Sequence, residues 1–400
     1  MDTSLAGATQ DEVRRHNLGG LVRLLHVNGP MSRADLTRLT GLNRSTVGAL
    51  TTDLAQAGLV RESAPVGKGV GRPSIVVTPS GGRVFALAFD LRVERTVAAV
   101  VGLGGVVLGR EERHHLRRGS TPADVLAELV QLATSLLAEA PRDAHCLGIG
   151  VAIPGVVRHI DGLVRLAPNM GWVDVPVAEM LGDRLGTTLP LVIGNDADFG
   201  AIAEHTRGSA AGTSNLIFLS GEVGVGGGII LGGRPMIGAG GYGGEVGHMV
   251  VNPTGRQCRC GRRGCWETEI GRAAVLRALG GSSRDDVDEL LARALTAAPR
   301  ELDLSRVGRW LGTGLANLVN IFNPEVVVFG GLLRKILPVV ELQLREHVDS
   351  ALVAPREEVR LVLPGLGSDS ALLGAAEAVF SPLLDDPLGS LNGGQFAAVA

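Results

Sequence analysis

The stretch Gly247-His-Met-Val-Val-Asn-Pro-Thr-Gly-Arg-Gln-Cys-Arg-Cys-Gly-Arg-Arg-Gly-Cys-Trp-Glu267 holds three of the four cysteines in a chain of 400 residues. His248, Cys258, Cys260 and Cys265 put one imidazole and three thiols within 18 residues, and Gly255, Gly261 and Gly264 allow the tight turns that bring them to one point. Such a Cys3His set suits tetrahedral zinc. Four protein donors leave no open position for water, so the spacing predicts a structural zinc that shapes a loop rather than a Lewis acid. Chance clustering of reduced thiols is the bland alternative. The fourth cysteine, Cys146, lies in the apolar run Cys146-Leu-Gly-Ile-Gly-Val-Ala-Ile153 and is expected to be a small core residue. This distribution is unlike a secreted disulfide framework. The first 17 residues, MDTSLAGATQDEVRRHN, lack the apolar run of a signal peptide, and no later run reaches the roughly 18 apolar residues of a membrane span. A cytoplasmic protein with no membrane partner is expected.

The net charge of −3 is unevenly spread. Residues 1–80 carry nine Arg or Lys and six Asp or Glu, or +3, which leaves −6 for the remainder. A basic N-terminal module suits a polyanion. Its pattern is helical: Leu18, Leu21, Val22 and Leu25 recur at helical spacing, Asn28-Gly-Pro30 stops that run, and Ser32-Arg-Ala-Asp35 starts another as a capping box. Gly41 ends the second helix, Asn43 caps a third with Val47, Leu50 and Leu54 inward, and Gly58 terminates it. Two short helices joined by a tight glycine turn form a helix-turn-helix, whose second helix would present Arg44, Ser45, Thr46, Gly48 and Thr51 to double-stranded operator DNA. Beyond it, Leu59-Val-Arg-Glu and Ser74-Ile-Val-Val-Thr-Pro flank a basic loop, Pro65–Pro73. A wing is predicted there, with Lys68 and Arg72 reaching phosphates or the minor groove; a flexible linker is the alternative. A winged helix-turn-helix domain is thus expected over 1–80.

From Arg83 onward, β runs alternate with helical stretches in two cycles, the second beginning after Asp196. This is α/β texture in two halves. A small ligand belongs in the cleft between them.

The run Gly243-Gly-Glu-Val-Gly-His248, followed by Cys-x-Cys-Gly-x-x-Gly-Cys-x-Glu, resembles the signature of the ROK family of bacterial sugar kinases and repressors. With a helix-turn-helix in front, the chain is similar to the repressor branch, including xylose- and N-acetylglucosamine-responsive members. The resemblance implies an actin-like ATPase (ribonuclease H-like) fold: a first lobe over 83–195 with a returning helix at 367–381, and a second lobe over 196–366 carrying the zinc loop 248–265. The small and polar residues of the tail over 385–400 read, by themselves, as poorly ordered. The resemblance also implies sugar contacts from Asn169, Asn195, Asp196, Glu245, His248 and Glu267, with His248 shared between zinc and sugar. Carboxylates and amides suit adjacent hydroxyls in any case. A homodimer or homotetramer is also implied.

Asp196 matches the family's catalytic aspartate, so an active ATP-dependent sugar kinase with an accessory DNA-binding domain is the alternative to a sugar-responsive repressor. Two departures weigh against ATP as a cofactor. Where the kinases carry Asp-Ile-Gly-Gly-Thr, this chain reads Asp90-Leu-Arg-Val-Glu-Arg-Thr96, and where they carry Gly-Thr-Gly it reads Glu222-Val-Gly224. Bulky residues replace the phosphate-cradling glycines, and Glu222 adds a carboxylate that repels a triphosphate. A regulator that senses a partner protein instead of a sugar is a third possibility.

Overall fold

The computed structural model describes residues 9–64, 74–114, 120–141, 144–297, 304–352, 357 and 359–393. Thr9 and Glu12 form a capping box at the start of α1 (Gln10–Asn28), whose buried stripe is Leu18, Leu21, Val22 and Leu25. After β1 (Met31–Ser32), the Ser32 hydroxyl accepts the Asp35 amide to open α2 (Arg33–Thr40). Gly41 ends that helix in the left-handed region at φ 71°, which residues with a Cβ rarely adopt. Asn43 caps α3 (Arg44–Gln56) by accepting from the Thr46 amide.

Strands β2 (Val60–Ser63) and β3 (Val76–Pro79) pair antiparallel, and β1 joins the other edge of β3. Arg33 locks helices to sheet by donating to both carboxylate oxygens of Glu62 at 2.6 and 2.7 Å. Lys68 and Arg72 lie outside the described residues.

The expectation for Thr51 is corrected. It is fully buried, and its hydroxyl donates to the Gly48 carbonyl at 3.2 Å. Thr51 follows Val47 by four residues, which puts it on the inward stripe of α3. Gly48 also faces inward, against the Arg33 guanidinium. Arg44 and Ser45 are exposed and Thr46 half-buried, as outward positions require.

Next come two five-stranded sheets. The first has the order β11-β7-β4-β5-β6, from β4 (Val84–Leu91), β5 (Arg95–Gly102), β6 (Val106–His114), β7 (His145–Ile153) and β11 (Leu191–Asn195). Its three central strands are almost wholly buried, because helices cover both faces. Cys146 sits in that core, where burial pushes its thiol up to about 11. On one side lie α4 (Pro122–Glu139) and α5 (Val177–Leu185), beside a small sheet of β8 (Val156–Arg158), β9 (Leu163–Ala167) and β10 (Trp172–Pro176).

The second sheet has the order β14-β13-β12-β15-β16, from β12 (Leu216–Gly221), β13 (Val225–Leu231), β14 (Arg234–Pro235), β15 (Val326–Gly330) and β16 (Arg360–Val362). Helices α7 (Trp266–Ile270), α8 (Arg272–Ala278), α9 (Val287–Ala297), α10 (Ser305–Phe322) and α11 (Gly331–Val348) belong to this lobe. Between the sheets, α6 (Asp196–Arg207) packs on α12 (Ser370–Asp385), which returns to β4 and β7 of the first sheet.

The tail expected from Asp385 is corrected as far as Gly393. A short helix, α13 (Gly389–Gly393), follows α12; Asp385 pairs with Arg23 at 2.7 Å and Asp386 with Arg15 at 3.4 Å. Leu388 and Leu391 pack on the core shared by α1 and α12. The apolar stripe of α1 needs a cover, and this end of the chain supplies part of it. Among the described residues, no helix is long and apolar enough to cross a membrane.

Candidate ligand cleft and metal centre

A cleft of about 600 Å³ opens between the lobes. Asn169, Asn195, Asp196, Glu245, His248 and Glu267 all line it, although they come from separate segments of the chain. The junction of β11 and α6 places two of them. Asn195 ends the strand and caps the helix: its Oδ1 accepts from the Ala197 and Asp198 amides at 2.8 and 3.2 Å, and its Nδ2 donates to the Gly155 carbonyl at 2.9 Å. Only one amide hydrogen of Asn195 is left for a ligand.

Asp196 follows, half-buried in the cleft. Burial, then Asp90 and Glu222, push its carboxyl up to about 7, against the Ala197 amide and Arg92. Asp198 behind it is pushed up to about 8 by burial and then by Glu245 and Asp196. Because the folded value of Asp196 lies above the ordinary 3.8, its ionisation opposes folding. The penalty is absent below about pH 3.8 and complete above about pH 7. Asp196→Asn is therefore expected to gain stability over the parent progressively from pH 4 to 7, to roughly 1–3 kcal/mol after allowance for solvent, and no further above. Urea unfolding across that range measures it; a pH-independent difference would contradict the assignment.

At the far end of the cleft, the turn after β4 departs most from expectation. Arg92 fills it with a guanidinium: Nε donates to Asp90 Oδ2 at 2.7 Å, Nη2 to the Ser368 carbonyl at 2.6 Å, and Nη1 lies 3.5 Å from Glu222 Oε1. Burial disfavours this cation, but Asp90 and Glu222 prevail and hold it above the usual guanidinium range. Glu222 therefore has a cationic neighbour. Burial still raises its carboxyl, with Arg92 opposing. Glu94 reaches across the lobes to Arg272 at 2.7 Å. In the sequence Arg92 is legible only as bulk at a glycine position; the Asp90-x-Arg92 spacing over a turn is the available signal.

Glu245 opens a 3-10 turn, Val246–His248, and its carboxyl is raised by burial, opposed by His248 and aided by Glu267. His248 Nε2 lies 4.0 Å from Glu245, while Nδ1 lies 3.8 Å from Cys258 Sγ. Cys260 and Cys265 Sγ are 3.6 Å apart. All four donor atoms fall within 4.8 Å of one another. Zinc bonded to sulfur at about 2.3 Å would need donors about 3.8 Å apart along a tetrahedral edge, so the set fits a tetrahedral thiophilic ion. Burial raises the Cys258 and Cys265 thiols, whereas the Arg262 backbone amide and the neighbouring thiols bring Cys260 down against burial.

Glu267 points into this cluster more than sequence suggests: its Oε1 accepts from Cys258 Sγ at 2.9 Å. Arg259, from the same loop, donates to Asn169 Oδ1 at 2.5 Å and joins the lobes over the cleft mouth. Between two expected ligands, Arg259 reads in the sequence as loop surface, and no local signal marks its partner.

Comparison with known proteins places this architecture. The chain is 28% identical to the xylose repressor of Bacillus spizizenii, over 94% of this chain and 98% of that repressor. Its structure matches that of a ROK family transcriptional regulator, a homologue of the Escherichia coli MLC protein, with TM-score 0.78 and 25% identity, over 96% of this chain and 100% of the other. It also matches a ROK glucokinase from Streptomyces griseus in complex with glucose and AMPPNP, with TM-score 0.62 and 25% identity, over 74% of this chain and 98% of the kinase. The two-lobed α/β fold is therefore of the actin and ribonuclease H type. The ROK profile matches residues 86–381, both lobes and the returning α12 included, and this chain belongs to the ROK family.

Proposed function

We propose that this protein is a sugar-responsive DNA-binding transcriptional regulator, in the sense of a repressor of carbohydrate genes. Helices α1 to α3 with strands β1 to β3 act as a winged helix-turn-helix, α3 entering the major groove and Arg44, Ser45 and Thr46 meeting the operator. Lys68 and Arg72 add contacts to phosphates or the minor groove. Asn169, Asp196, Glu245, His248 and Glu267 contact the sugar, with Asn195 chiefly holding α6. His248, Cys258, Cys260 and Cys265 hold a structural zinc, which fixes the His248 ring so that Nε2 faces the sugar.

The observation that carries this choice over a kinase is Arg92. Its guanidinium lies between Asp90 and Glu222, at the turn that in the kinases cradles phosphate. A chain built to bind ATP there would need that space for phosphate and Mg²⁺. The raised Asp196 carboxyl favours the alternative, since a base poised near neutrality suits phosphoryl transfer. A coupled assay across aldoses decides between them: robust ATP-dependent turnover, abolished in Asp196→Asn, would overturn the regulator.

Duplexes selected from a random pool by the full-length protein should bind Arg44→Ala about tenfold more weakly and with relaxed discrimination. Unchanged binding would remove α3 from the interface.

A further inference from the structure

Arg207, at the last turn of α6, sits where three separately built parts of the protein meet. Its Nε donates to Glu377 Oε1 of α12 at 2.8 Å, and its Nη1 donates to the backbone carbonyls of Gly104 at 3.2 Å and His26 at 3.4 Å. His26 belongs to the last turn of α1, and Gly104 to the turn between β5 and β6. The Gly104 amide donates to His26 Nδ1 at 2.9 Å, and His26 Nε2 lies 2.9 Å from Glu377 Oε2 and 2.7 Å from Arg207 Nη2, so imidazole, carboxylate and guanidinium meet at one point. His26 is fully buried, and the side chains of Glu377 and Arg207 are only 4% and 12% exposed. Gly105 leaves room for the guanidinium, since a Cβ there would overlap Arg207 Nη1.

The same helix begins at the cleft, with Asn195 as its cap and Asp196 on its first turn. Its twelve residues span about 18 Å. Near its far end, buried Glu204 accepts from the Gly365 and Leu366 amides and the Ser370 hydroxyl at 2.8–3.0 Å, and from Ser209. This ties α6 to the segment entering α12. Helix α6 is thus capped at the cleft, bonded to the returning helix along its side, and joined to the N-terminal module at its end.

We propose that Arg207 is the positioning residue through which α6 sets the seat of α1, so that a displacement at the cleft end of α6 reaches the N-terminal module. This rests on the regulator proposed above for its biological use, but the mechanical coupling does not depend on it. Coupling requires that both ends bias one physical element. Here that element is a single helix that reaches the module at its far end through the Arg207 guanidinium, which touches both the carbonyl and the ring of His26.

Hydrogen–deuterium exchange on the full-length, metal-loaded protein tests the proposal without any ligand. Asn195→Ala removes the N-cap and should fray the first turn of α6. Exchange in the α1 peptide 18–28 is expected to rise severalfold in that variant. Arg207→Ala alone should raise it roughly tenfold or more, and adding Asn195→Ala to Arg207→Ala should give no further rise. Arg23→Ala, which removes only the exposed pair between α1 and Asp385, should leave the Asn195→Ala effect intact. Arg207→Lys keeps a cation beside Glu377 but cannot reach both carbonyls; it carries the same cycle at intermediate amplitude should the alanine variant not fold. The proposal is overturned if Asn195→Ala frays α6 yet leaves α1 unchanged, or if its increment is the same with and without Arg207. Failure of the parent protein to select any duplex would sink the regulator, while the exchange data alone decide the role of Arg207.

Discussion

Replacing Cys265 by serine is expected to take bound zinc from stoichiometric to background and to weaken the second lobe, lowering its melting temperature by about 10 °C. A hydroxyl is a poor substitute for a thiolate on zinc, and the remaining donors close only a partial shell. The consequence reaches beyond the loop because Cys265 leads directly into α7. The first residue of that helix, Trp266, is fully buried, donates its indole N–H to the Trp310 carbonyl at 2.7 Å and lies against Gly314 of α10. Glu267 is next, on the cleft wall. Loss of the ion therefore loosens a core anchor and a pocket residue together. Metal analysis, calorimetric melting and thermal shift with an aldose panel on the same variant measure the three effects. A variant that loses zinc but melts and binds like the parent would make the cluster incidental to the fold.

The second large effect is expected at Glu377. Glu377→Ala should destabilise the protein by roughly 3–5 kcal/mol, read from urea unfolding, because it leaves the Arg207 cation and His26 without their shared carboxylate in a buried site. Burial raises the Glu377 carboxyl, but His26 and Arg207 together outweigh burial and hold it below its ordinary 4.5. A depressed acid stabilises the fold above its unfolded value and loses that contribution as pH falls through the folded one. The difference between parent and variant should accordingly be full above about pH 4.5 and shrink in acid. A difference that persists undiminished at pH 3 would show that lost packing, not charge, is responsible.

The elements differ in how far they can be anticipated. Helices α2 and α3 are readable because Ser32, Gly41, Asn43 and Gly58 act on the residues beside them. Thr51 is misplaced when outwardness is judged from side-chain polarity instead of its four-residue offset from Val47. The returning helix is expected over 367–381, and α12 runs from Ser370 to Asp385. Its continuation into α13 escapes a local reading, since nothing in a Gly- and Ala-rich tail signals that α1 will cover it. The motif assigns Asn195 to the sugar, whereas in the structure its Oδ1 caps α6 and one of its amide hydrogens goes to the Gly155 carbonyl.

By itself, the sequence determined what is local in spacing: the Cys3His donor set, the stop of α1 and the caps of α2 and α3, the alternation of strands and helices, and the absence of glycines from the turn after Asp90. Such features depend on residues within a few turns of one another, so their chemistry is already present in the order of the chain. Only the tertiary structure decided that Arg92 occupies that turn between Asp90 and Glu222, that Arg259 reaches Asn169 across the cleft, and that His26, Arg207 and Glu377 converge. His26 and Glu377 are 351 residues apart in the chain. Their meeting depends on how two sheets, α6 and α12 pack, and the burial that makes an unpaired charge costly arises only once they have.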